Sequence, residues 1–83
     1  MKMQIHDTNI EESALHACIN RMKAAPFRSS DIMKVAIENG VPEQVGREWI
    51  AGRVADRLIQ RQRKAGNISV NYNSQYPTWT WVV

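Results

Sequence analysis

Residues 42–66 read PEQVGREWIAGRVADRLIQRQRKAG, and how this stretch folds decides how the rest of the chain must be arranged. Its periodicity predicts one long helix over residues 42–65. Pro42 stands just inside the first turn, where a missing N–H costs nothing, and Glu43 suits the positive end of a helix dipole. Arg61, Arg63 and Lys64 fall in the last turns. Gly66 follows, the residue that most easily takes the left-handed conformation that stops a helix. At about 100° per residue, Ile50, Ala51, Val54, Ala55, Leu58, Ile59 and Ala65 share one broad face. Arg53, Arg57, Gln60 and Lys64 stand opposite, in a row. The alternative is a separate short helix at residues 42–47 with a break at Gly46 or Gly52, since an interior glycine costs about 1 kcal/mol relative to alanine.

Charge is concentrated on the same stretch. Residues 1–42 hold five Lys/Arg and five Asp/Glu, and residues 66–83 hold no formal charge. Residues 43–65 hold six basic side chains (Arg47, Arg53, Arg57, Arg61, Arg63, Lys64) against Glu43, Glu48 and Asp56, so the whole net charge of +3 lies there. A localised basic face is the footprint of a polyanion binder; a solvated helix exterior is the bland alternative.

The flanking segments predict what this helix packs on. Residues 1–8 form a lead-in with extended character. Asp7, Thr8 and Asn9 are all good N-caps, and Thr8-x-x-Glu11 and Asn9-x-x-Glu12 both fit a capping box, so a first helix is expected over residues 9–25. Leu15, Cys18, Ile19 and Met22 give it an i, i+3, i+4, i+7 core stripe. Pro26 ends it, because the residue before a proline avoids helix. Phe27-Arg28 is an extended link, with Phe27 buried. Ser29 or Ser30 caps a second helix over residues 30–39, with Ile32, Val35 and Ala36 inward, and Asn39-Gly40 stops it. After Gly66 the period changes to two. Residues 67–83 read as a β-hairpin, Asn73-Ser74-Gln75 forming its turn and Ile68, Val70 and Trp81 its core face. Trp81 is expected to be buried on the helices, with Trp79 and Tyr72 half exposed. Trp49 is read as packing against the second helix, the alternative being an anchor for a partner or a second copy of the chain.

Composition narrows the function classes. Eighty-three residues with a 43% apolar share make one small globular domain. The single cysteine excludes an internal disulfide and a cysteine metal cluster, and Cys18 reads as a buried structural thiol. His6 and His16 lack a partner cluster. No paired carboxylates, Ser/His/Asp set or phosphate-binding glycine loop stands out, so neither an enzyme nor a bound cofactor or metal is expected. With no signal-like apolar run and no stretch of membrane-spanning length, a soluble, cytoplasmic protein is expected, with no membrane partner.

Helix, extended link, helix, tight turn, basic helix and hairpin, in that order, resemble the winged helix-turn-helix superfamily of DNA-binding domains. Phe27-Arg28-Ser29-Ser30-Asp31-Ile32 is similar to the entry of that family's second helix. Arg57-Leu58-Ile59 followed by Lys64-Ala65-Gly66-Asn67-Ile68 is similar to its recognition helix closing into the first wing strand. The resemblance implies an α+β winged-helix domain whose third helix enters the major groove of double-stranded DNA while the hairpin wing touches the flanking backbone. Arg53, Arg57, Gln60 and Lys64 are the positions it marks for DNA contact, with Arg47 near the helix start. The chain departs from the pattern twice: residues 40–66 exceed the usual spacing by about two helical turns, and the hairpin tip carries no Lys or Arg. The function implied is that of a small transcription or recombination regulator of the kind phages and mobile elements encode, acting through dimerisation, cooperative binding or a larger complex. A winged-helix protein-interaction module that does not touch DNA is the other reading.

Overall fold

The computed structural model describes residues 2–72 and 75–83. It is an α+β fold in which three helices supply the core and three two-stranded antiparallel hairpins are laid around them. The order is β1 (Met3–Ile5), β2 (Thr8–Ile10), α1 (Glu12–Ala24), α2 (Ser29–Glu38), β3 (Gln44–Val45), β4 (Glu48–Trp49), α3 (Ala51–Lys64), β5 (Ile68–Asn71) and β6 (Thr78–Trp81).

The predicted core stripe of α1 is inward-facing: Leu15, Cys18 and Met22 are fully buried and Ile19 packs at the edge. Ile32 and Ala36 of α2 and Val54 and Leu58 of α3 meet them, and no polar or charged side chain is buried among the described residues. Pro26 ends α1 as expected, leaving Ala25 extended at φ −165°. α2 starts one residue before its predicted boundary. Its cap is Arg28 rather than a serine: the Arg28 backbone N–H donates to the Asp31 carboxylate at 2.8 Å. Both serines lie within the first turn.

The third helix is shorter than predicted. It begins at Ala51, not Pro42, and residues 42–50 form neither the first turns of α3 nor a separate helix. They make the smallest of the hairpins, with Gln44 opposite Trp49 and Val45 opposite Glu48. Gly46 has φ +61°, the sign a type II′ turn needs at its first central position, and Arg47 takes the second. The N–H groups of Ile50 and Ala51 then return to the carbonyls of Glu43 (2.9 Å) and Pro42 (3.1 Å), closing the hairpin against the helix start. Gly52 does not break α3, and Ala65, assigned to the buried face by the periodicity, is the exposed C-cap.

The lead-in is likewise more ordered than predicted. Met3 pairs with Ile10 and Ile5 with Thr8, burying Met3, Ile5 and Ile10, so Thr8 and Asn9 are strand residues and not caps. α1 starts three residues later than predicted, behind Glu11.

The C-terminal hairpin has the predicted face. Ile68 pairs with Trp81 and Val70 with Trp79, which places all four side chains on the helix side. Trp81 is only half-buried, however, lying at the rim of the core with Lys23 over its ring at 5.2 Å. Phe27 is fully buried and its backbone exchanges two hydrogen bonds with Trp79 (2.9 and 2.8 Å), so the α1–α2 link adds a one-residue third strand beside β6.

Two measurements check this architecture. Gly46→Ala forces a non-glycine residue to positive φ and should destabilise by about 1–2 kcal/mol. Gly52→Ala places a methyl 3.8 Å from the Met33 sulfur, an ordinary contact, and should stabilise by about 0.4–1 kcal/mol. A continuous helix through both sites would instead make both substitutions stabilising in a thermal melt. Phe27→Ala should cost about 3–5 kcal/mol, as for emptying a buried aromatic site. Trp81→Ala should cost clearly less, because that side chain is only partly buried at the rim of the core; an equal loss in denaturant melts would contradict the rim position.

Candidate nucleic-acid interface

α3 separates its two faces cleanly. Ala51, Val54, Ala55, Leu58 and Ile59 are buried. Arg53, Arg57 and Lys64 are exposed on the opposite side, and Gln60 is half exposed between them. The corrected boundary also sharpens the electrostatics. Glu43 and Glu48 belong to the β3–β4 segment, so α3 itself carries five cations against Asp56, a net of four positive charges on 14 residues. Arg53 and Lys64 are about 16 Å apart along the axis at 1.5 Å per residue, somewhat more than the width of a B-DNA major groove, about 12 Å.

The outward row is not uniform. The Arg57 guanidinium donates to the Gln4 carbonyl of β1 at 3.0 Å. Gln60 accepts through Oε1 from Arg63 Nε at 2.9 Å, which uses one of the two lone pairs of that oxygen and leaves its amide N–H groups. No hydrogen bond or ion pair among the described residues engages the side chains of Arg53, Arg61 or Lys64. Arg61 was outside the predicted set, yet it is exposed and stands one turn beyond Arg57, a spacing the sequence already contained. Arg47 is exposed too, but on the β3–β4 turn rather than on α3.

A second cationic cluster borders the C-terminal hairpin. Arg28 lies over the Tyr76 ring at 5.3 Å, as Lys23 does over Trp81. A cleft of about 420 Å³ opens there, lined by Arg28, Ser29, Ser30, Tyr76, Pro77 and Trp79. The hairpin has no cation of its own, but α1 and the α1–α2 link place two beside its aromatic rings. Of the predicted tip, Asn73 and Ser74 lie outside the described residues, and Gln75 is exposed.

His6 Nε2 meets Glu48 at 2.8 Å and His16 lies 3.6 Å from Glu12, both pairs on the surface. Among the described residues no three His, Cys, Asp or Glu side chains gather as metal ligands. No helix there is long and apolar enough to cross a membrane. Trp49, predicted to pack on α2, is instead 56% exposed on β4. Set against protein-family models, curated proteins and solved structures, the chain matches none of them.

Cys18 is sealed in the core, its Sγ 3.7 Å from the Ile32 carbonyl, and burial pushes its pKa up to about 11. The unfolded thiol ionises first as pH rises, so stability should fall between about pH 9 and 11, by up to about 2 kcal/mol. The loss should shrink in Cys18→Ala. Native protein should react with a thiol reagent far more slowly than denatured protein; equal rates would contradict the buried position.

Proposed function

We propose that the chain is a small winged-helix DNA-binding protein that regulates transcription or recombination by occupying a site, as phage and mobile-element regulators do. The observation that carries this reading is α3: four net positive charges on a helix whose other face is wholly committed to the core. Arginine pairs bidentately with guanine O6/N7 or with phosphate, and lysine contacts phosphate as a point charge. In this reading α3 enters the major groove. Arg53, near its N-terminal end, reads bases, while Arg61 and Lys64 hold phosphates. The C-terminal hairpin, with Lys23 and Arg28 beside it, borders the flanking backbone. The extended Phe27 link paired to β6 supports the winged-helix assignment, since it joins the helices and the hairpin into one unit.

Trp49 supports a second reading, a winged-helix interaction module for a protein partner or a second copy of the chain. A large ring 56% exposed beside Gln44 is the kind of side chain that anchors an interface. The two readings separate in one titration. A duplex should bind at low salt with a log–log salt slope set by the few phosphates contacted, about −0.9 per phosphate. Arg53→Ala should lose about 1–3 kcal/mol on a preferred sequence. Lys64→Ala should weaken all sequences alike and lower the slope by about one. A parent chain that does not bind duplex at low salt would leave the interaction module in place of the DNA reading.

A further inference from the structure

We propose that the β1–β2 hairpin is a second DNA-contacting element beside α3, and that Arg57 is the residue that positions it. This rests on the DNA-binding reading of α3. Arg57 sits in the middle of the outward row, where a base-reading arginine would be expected, yet its guanidinium is bound to the Gln4 carbonyl, 53 residues away in sequence. That bond commits one of the five guanidinium N–H donors to β1 and ties the side chain to the hairpin. What it brings to the edge of α3 is the exposed face of the hairpin.

That face is chemically specific. Met3, Ile5 and Ile10 anchor the hairpin in the core, so the alternating residues point to solvent. Gln4 and Asn9 stand directly opposite each other in the register and are both exposed. Opposed strand residues share a face, so the two carboxamides form a pair next to the arginine that holds them. Gln and Asn offer donor and acceptor together, the combination that pairs with adenine N6/N7 and also reaches phosphate oxygens. Lys2, exposed and immediately before β1, adds a cation at the start of the hairpin. At the turn end, His6 bonds Glu48 of β4 at 2.8 Å, which steadies the hairpin from the other side. The surface offered to duplex DNA is thus continuous from the carboxamide pair onto the cationic face of α3.

The test is a mutant cycle on the full chain, with a labelled 20-base-pair duplex of mixed sequence and a thermal melt of every variant. Gln4→Ala/Asn9→Ala removes two exposed side chains and keeps the Gln4 carbonyl, so folding should be unchanged while affinity falls roughly tenfold. The salt slope should stay as in the parent, because neutral contacts release no counterions. Arg57→Ala should also lose affinity with the slope unchanged, and adding it to the Gln4/Asn9 pair should cost little more, since both changes remove one contact. Lys2→Ala should lower the slope by about one. Losses that add in full, with a shallower slope for Arg57→Ala, would assign Arg57 to phosphate and overturn its positioning role. Parent-like binding by Gln4→Ala/Asn9→Ala, while Arg53→Ala still loses affinity, would overturn the hairpin contact and leave the α3 reading intact. No binding by the parent would remove both.

Discussion

The architecture depends on one residue-to-residue pairing, the two backbone hydrogen bonds exchanged by Phe27 and Trp79. A two-stranded hairpin is not stable alone in water. β5–β6 persists because its inner face lies on the helices and because the α1–α2 link enters the sheet beside it. Phe27 serves both requirements, with a side chain wholly in the core and a backbone wholly in the sheet. It thereby joins the helical half of the chain to the C-terminal half.

The other two hairpins follow the same logic at smaller scale. β3–β4 is closed by the Ile50 and Ala51 N–H groups returning to Glu43 and Pro42. β1–β2 is held by three buried apolar side chains and by polar ties from Arg57 and His6. The surface pairs among these are each worth little in isolation. Their effect is positional: they decide which side chains border the outer face of α3.

The parts legible in the sequence were those with long, repeated patterns. The stripe of α1, the inner face of α2 and the inner face of the C-terminal hairpin all follow from period 3.6 or period 2. The start of α3 was misread because proline, glutamate and a run of helix-compatible residues imitate a helix entry. The decisive signal was quieter. The apolar stripe of α3 begins only at Ile50, and Val45 and Trp49 upstream do not extend it. Strands of two and three residues, as in β3–β4 and β1–β2, are too short for alternation to register. The outward row of α3 was legible as a pattern. The Arg57–Gln4 bond was not, because a contact across 53 residues leaves no local trace.

The observed start of α3 changes how the charge is distributed. As a single helix over residues 42–65, the basic stretch would carry Glu43 and Glu48 along its own first turns, diluting the field where a ligand approaches. Folded as observed, both carboxylates leave the helix, and Glu48 is paired with His6. The cations that remain on α3 share a rigid scaffold only 14 residues long, and Asp56 is its one carboxylate. Cations on a shared rigid element bind a polyanion without first being ordered, so less of the attraction is lost to entropy. The β3–β4 hairpin therefore affects the helix it precedes in two ways: it sets where α3 begins, and it keeps Glu43 and Glu48 off that helix.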